Sequence, residues 1–224
     1  MLVRDSMIPD PRTIEPEATL ADAIDLMRAL RVRHLPVMSG RRLAGIVTWT
    51  DLMRAAPPVE ASLAGRRLAA LFQQTHVRDV MTKDPITVGP DVPVEAAARL
   101  LRDRKIGCLP VVERGMLVGI VTESDLFDAL IHMLGGDLAG LRVSVELPAG
   151  LADLAGLAAA LQQRVGAGEP VAINARIDAT GRRAHVRVAT QAPLVVAEHL
   201  AAAGYEVSTL RIDRPVKAAR AHVG

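Results

Sequence analysis

Leu20, Ala23, Ile24, Met27 and Leu30 recur at the i, i+3, i+4 and i+7 spacing of a helix with one buried face. Two short apolar runs follow, "LPVM" and "LAGIVT", parted by the polar "SGRR", and this order predicts a hairpin. Upstream, Thr13-Ile14 is a short β-rich piece ended by Pro16; downstream, a second helix is expected to start at Trp49. The succession then returns. Thr87-Val88 precedes Pro90, Val94, Ala97, Ala98 and Leu101 take helical spacing, "LPVV" and "MLVGIVT" flank "ERG", and a helix is expected from Glu123. Each stretch reads β-α-β-β-α.

Laying residue i on residue i+74 shows that the two stretches are one pattern written twice. "VRDSM" (3–7) falls on "VRDVM" (77–81), "DPRTIEP" (10–16) on "DPITVGP" (84–90), and "HLPVM" (34–38) on "CLPVV" (108–112). "GIVTWTDL" (45–52) falls on "GIVTESDL" (119–126), and no gap is needed anywhere. Two copies of one supersecondary unit follow, each too small to cover its own sheet, so they are expected to pack about a pseudo-twofold axis. Between them "AAPPVEASLAGRR" breaks the pattern at Pro57-Pro58, and a helix is expected over 61–74.

Beyond residue 134 the pattern changes. "LRVSVEL" (141–147) alternates like a strand, and Leu151, Leu154, Leu157, Leu161 and Val165 recur at helical intervals. The "GAGEP" at 166–170 is followed by Pro170 and a strand, so its Gly-x-Gly reads as a helix stop rather than a dinucleotide loop. Two alternating strands flank a turn at Thr180-Gly181. A helix over about 193–203 and the strand "YEVSTLRI" complete β-α-β-β-α-β. The expected organisation is a first unit over 1–56, a linker with a helix over 57–76, a second unit over 77–134, a third domain over 139–213 and a disordered tail over 214–224. The fold class is α+β.

Composition narrows the chemistry. Half of the 224 residues are apolar but only 2% are aromatic, so the core must be built from Ala, Leu and Val. The 27 basic and 25 acidic residues are interspersed, which argues against a nucleic-acid partner, as does the shortage of aromatic stacking platforms. A single Cys, Cys108, excludes an internal disulfide framework; in its apolar strand it reads as buried filler. No apolar stretch approaches the roughly 20 residues of a membrane span, and "MLVRDSMIPDP" lacks a signal-peptide centre. A soluble cytoplasmic protein is expected, with no membrane partner. The six His show no metal-ligand spacing, and no nucleophile elbow, Walker loop or kinase signature is present.

One constellation carries chemistry. Thr48-x-x-Asp51 and Thr122-x-x-Asp125 stand where a strand gives way to a helix. A hydroxyl at the N-cap with an acid three residues on has the form of a capping box, worth about 0.5–2 kcal/mol with no ligand involved. The same junction also offers free N–H groups and a positive dipole end to a phosphate, and the Asp can accept hydrogen bonds from neighbouring ribose hydroxyls. Both readings fit the residues.

The doublet "DPRTIEP…HLPVM…GIVTWTD" and "DPITVGP…CLPVV…GIVTESD" resembles a pair of CBS domains, a Bateman module. The resemblance implies that Gly-h-x-Thr-x-x-Asp, with h an apolar residue, binds the ribose and phosphate of an adenosyl ligand: AMP, ADP, ATP or S-adenosylmethionine. It assigns Thr13, His34, Leu35, Thr48 and Asp51 to one site, and Thr87, Cys108, Leu109, Thr122 and Asp125 to the other. Against that pattern Arg12 faces Ile86 across the repeat, Trp49 stands inside the first signature, and Glu123 in the second would repel a polyphosphate. The third domain, with "LPAGLADLAGL" and "HLAAAGYEV", resembles an ACT domain, a ferredoxin-like fold that often takes an amino acid, although Ala149 parts the Pro148 and Gly150 that the family usually keeps adjacent. The order CBS-CBS-ACT is similar to AcuB-type acetoin-utilisation proteins. Together these imply a non-catalytic, homodimeric sensor that signals an adenosyl ligand to a regulated protein. A ligand-free scaffold with Thr-x-x-Asp serving only as caps is the rival, and an enzyme would need a base–nucleophile pair that the chain does not display.

Overall fold

A computed structural model describes residues 1–55, 72–165, 171–178 and 181–213. The chain divides into two compact units, Met1–Ala129 and Leu130–Gly224. In the first, a 3-10 turn (Val3–Asp5) and strand β1 (Ile8–Pro9) precede helix α1 (Leu20–Leu30), the hairpin β2 (His34–Ser39) and β3 (Arg42–Thr48), and helix α2 (Trp49–Arg54). The second copy follows as α3 (Val77–Val80), β4 (Thr82–Lys83), α4 (Val94–Arg104), β5 (Cys108–Glu113), β6 (Met116–Thr122) and α5 (Glu123–Met133). The helix expected over 61–74 lies mostly outside the described residues, of which 72–74 are helical.

The helices and hairpins match the periodicity. Leu20, Ala23, Ile24 and Met27 are buried on α1, as are Val94, Ala97 and Leu101 on α4, whereas Leu30, the last residue of α1, and Ala98, both expected on these faces, are exposed. Both hairpins pair in the same register, His34 with Thr48 and Cys108 with Thr122, and both slip by a bulge after Val37 or Val111. The short β piece at Thr13-Ile14 is smaller than expected: Ile14 makes a single parallel bridge to Val37, and Val88 makes the equivalent bridge to Val111.

The third strand of each sheet comes from the other copy. β1 pairs with β6, Ile8 opposite Ile120 and Pro9 opposite Gly119. β4 pairs with β3 in the corresponding register, Thr82 opposite Ile46 and Lys83 opposite Gly45. The exchange is anchored by apolar side chains. Val3 is fully buried in the core of copy two, with Val88, Leu101, Leu109 and Val121, while Val77 is fully buried in that of copy one, with Ile24, Met27, Leu35 and Val47. Burying each Val is worth about 1.5–3 kcal/mol. Equivalent backbone bonds fix the segments, Val3 N–H to the Val92 carbonyl and Val77 N–H to that of Ala18, both at 2.8 Å. Arg4–Asp91 and Arg78–Glu17 ion pairs close the two junctions.

The second unit runs β7 (Gly140–Glu146), α6 (Leu151–Val165), β8 (Val171–Asp178), β9 (Gly181–Val188), α7 (Pro193–Ala202) and β10 (Val207–Asp213). This is the β-α-β-β-α-β order expected from the pattern. All pairs are antiparallel, in the strand order β10-β7-β9-β8. One sheet face supplies Leu141, Val143, Val145, Ala184, Val186 and Val188 to a core shared with Leu157 and Leu161 of α6 and Val196 and Leu200 of α7. The "GAGEP" stop, the residues of the Thr180 turn and the 214–224 tail fall outside the described residues.

Candidate functional site

The duplicated junctions have one geometry. Asp51 Oδ2 accepts from the Thr48 N–H at 2.9 Å and from the Thr48 hydroxyl at 2.7 Å, while the Asp51 N–H donates back to Thr48 Oγ1 at 3.2 Å. Asp125 Oδ2 accepts from Thr122 N–H at 2.7 Å and its hydroxyl at 2.8 Å, with the return bond at 3.4 Å. These are capping boxes. Both bonds of each acid land on Oδ2, so Oδ1 has no hydrogen-bond partner among the described residues. All four side chains are half-buried, poised between strand end and helix start.

A third box supplies an internal comparison. Thr19 caps α1 with Asp22 in the same way, at 2.9 and 2.7 Å, with a 3.1 Å return bond, and both bonds lower the Asp22 pKa below the ordinary carboxylate value. In copy two the corresponding positions are Pro93 and Ala96, and α4 starts with no side-chain cap. The Thr/Asp cap of the first long helix is thus present in copy one alone, whereas both copies have Thr and Asp at the strand-to-helix junction.

The glycines that open the two signatures have a packing reason. A Cβ on Gly45 would lie 2.6 Å from Met81 Sδ and 2.8 Å from the Thr82 carbonyl oxygen; one on Gly119 would lie 2.5 Å from Met7 Sδ and 3.1 Å from that of Ile8. Each glycine thus admits the exchanged strand of the other copy. Beside it, Ile46 and Ile120 meet with Cys108 in a small apolar cluster where the hairpins touch.

His34 and Cys108, equivalent positions of the repeat, flank this centre. His34 reaches across to the other copy, its Nε2 lying 3.1 Å from the point that a Gly107 Cβ would occupy. Burial, then the neighbouring Arg33, lowers its pKa below the ordinary imidazole value, against the opposing pull of Glu123, Asp51 and Asp125. Burial drives the Cys108 thiol up to about 12, with Asp51 and Glu123 adding to the rise. Residues 34, 51, 108, 123 and 125 thus share one electrostatic neighbourhood. Leu35 and Leu109 are fully buried in the two copy cores. Thr13 and Thr87 are exposed beside the Ile14 and Val88 bridges.

Two features of this centre were not read from the sequence: the reach of His34 over Gly107, and the proximity of Glu123 to both. The i+74 overlay carries the signal, since it sets Arg33 on Gly107 and Trp49 on Glu123, abrupt changes of size and charge in an otherwise matched frame. Trp49 itself is half-buried, with the Arg28 guanidinium 5.8 Å from its ring centroid. Among the described residues no group of three or more His, Cys, Asp or Glu could hold a metal ion. None of the described helices is long and apolar enough to cross a membrane.

Comparison with known proteins agrees with this geometry. The CBS domain family matches residues 3–57 and 77–132. A CBS domain-containing protein from Dictyostelium discoideum is 36% identical over 137 residues, 60% of this chain and 94% of that protein. The chain belongs to the CBS-domain family. A crystal structure from Vibrio cholerae assigned to acetoin utilization (AcuB) superposes with a TM-score of 0.51 at 35% identity, over 60% of this chain and 93% of that one. The inosine-5'-monophosphate dehydrogenase of Korarchaeum cryptofilum is 41% identical over 122 residues, 54% of this chain; the chain spans only 22% of that enzyme's length. The likeness to that enzyme is confined to a CBS-sized segment.

Proposed function

We propose that the protein is a non-catalytic cytoplasmic sensor whose CBS pair binds an adenosyl ligand, AMP, ADP, ATP or S-adenosylmethionine, in two clefts. Asp51 and Asp125 take the ribose hydroxyls, and the bound state is passed to a regulated protein. The observation that carries this reading is the presence of Thr-x-x-Asp at both β3–α2 and β6–α5 junctions while the α1 cap is absent from copy two. A ligand that binds two arrangements unequally shifts them by its differential affinity, typically about 1–3 kcal/mol. The site residues proposed are Thr13, His34, Leu35, Thr48 and Asp51 with Thr87, Cys108, Leu109, Thr122 and Asp125.

The second unit is proposed as a ferredoxin-like ACT-type domain, supported by its β-α-β-β-α-β order; an amino acid is its candidate ligand. Homodimerisation is proposed too. It is supported by Met53 on α2 and Phe127 on α5, equivalent positions of the repeat that leave 40% and 64% of large apolar side chains exposed. The rival scaffold reading draws on the completed capping boxes.

The sole Trp tests the proposal. With AMP, ADP, ATP and S-adenosylmethionine titrated in turn, Trp49 fluorescence responds to at least one of them, and Asp51→Ala removes the response. A parent protein that binds none of the four by calorimetry defeats the sensor reading.

A further inference from the structure

The two clefts are built on one frame but differ in charge at the residue after the signature Thr. Copy one has Trp49 there, with Arg28 against its ring and Arg33 next to His34. Copy two has Glu123 there, and Gly107 in place of Arg33. The Glu123 side chain does not simply point away from the centre. Its Oε2 lies 4.0 Å from the point a Gly107 Cβ would occupy, the same point that His34 Nε2 approaches at 3.1 Å, so the carboxylate faces the start of β5 and the middle of the pair. Its field reaches both His34 and Cys108. A phosphate brought to the first turn of α5 meets the Glu123 charge in addition to that of Asp125, which Asp51 matches in the other copy. The attraction of the α5 terminus for an anion is offset by Glu123, a charge that Trp49 does not supply at the equivalent position of α2.

Resting on the reading of these clefts as adenosyl sites, we propose that Glu123 makes the cleft of Thr122 and Asp125 select on the charge of the group at the ribose 5′ carbon. It favours a sulfonium or an uncharged thioether over a phosphate, whereas the cleft of Thr48 and Asp51, where Trp49 stands in place of that carboxylate, accepts the phosphate. The chain is thereby a comparator of two adenosyl ligand classes rather than a duplicated receptor for one.

The test uses the full chain carrying Asp51→Ala, so that only cleft two reports, with and without Glu123→Gln. AMP, S-adenosylmethionine and uncharged 5′-methylthioadenosine are titrated by calorimetry at low salt. S-adenosylmethionine and methylthioadenosine bind more tightly than AMP before the second substitution. Glu123→Gln then tightens AMP by roughly five- to tenfold, weakens the sulfonium ligand by a similar factor and leaves methylthioadenosine unchanged. Unchanged methylthioadenosine binding with an unmoved ratio of AMP to S-adenosylmethionine overturns the charge selection and leaves the adenosyl reading standing. Failure of all three to bind this protein and the parent overturns both.

Discussion

Replacing Asp22, Asp51 and Asp125 one at a time by Ala separates capping from ligand binding within a single molecule. In each box one carboxylate oxygen takes an N–H and an O–H at 2.7–2.9 Å, with a weaker return bond from the Asp amide. Losing such a box costs about 0.5–2 kcal/mol, which lowers the melting temperature by roughly 2–4 °C per kcal/mol in a chain of this size. The three variants therefore melt lower by comparable amounts, with Asp22 at the small end because its box is exposed. Ligand affinity follows a different rule. A ribose hydroxyl donating to a carboxylate is worth about 1.5–3 kcal/mol, so Asp51→Ala and Asp125→Ala each weaken their own cleft by roughly 10- to 150-fold, whereas Asp22→Ala leaves binding within twofold. Scanning calorimetry gives the first quantity and isothermal titration with AMP and S-adenosylmethionine the second. Equal loss of stability in all three with undiminished binding would refute the reasoning and leave Thr-x-x-Asp as a cap.

Two further outcomes follow from packing. Gly45→Ala places a methyl against the Thr82 carbonyl, which cannot yield as a side chain can, and costs about 1–3 kcal/mol. Gly119→Ala costs less because the backbone carbonyl it meets, that of Ile8, stands 3.1 Å away against 2.8 Å for Thr82 at Gly45, a flexible Met thioether being the nearest atom in both; Gly89→Ala, with open space around it, is the neutral control; urea titration orders the three. The Cys108 thiol, held near 12, reacts with a disulfide reagent at pH 8 roughly a thousandfold more slowly in the folded protein than in urea. Because its folded pKa lies above the unfolded value, the folded state holds the proton longer. The associated stability is complete below pH 9 and is lost as pH rises from there to about 12. A stability curve flat across that window refutes the assignment.

The helices and hairpins were legible because each has a period to read. Leu20, Ala23, Ile24 and Met27 announce a helix face, and a repeat of that face 74 residues on doubles the signal. The exchange of outer strands was not legible. Ile8–Pro9 and Thr82–Lys83 are two residues long and exposed, too short for any alternation, and two near-identical hairpins offer each the same edge. The partner is selected by contacts distant in sequence, among them the buried Val3 and Val77 and the Arg4–Asp91 and Arg78–Glu17 ion pairs. Asp51 and Asp125 could be placed on helix termini from their spacing. The approach of His34 to Gly107 could not, since it depends on how the two copies meet.

The exchanged strands look equivalent on the folded protein, but they close loops of unequal length. Ile46 finds Thr82 across 36 residues, while Ile8 must wait for Ile120 across 112. The entropy of closing the longer loop exceeds that of the shorter by about 1 kcal/mol. During synthesis the hairpin of β2 and β3 can gain its outer strand as soon as residue 83 emerges. The amino-terminal arm stays unpaired until the hairpin of β5 and β6 appears, so a symmetric product is assembled in an asymmetric order.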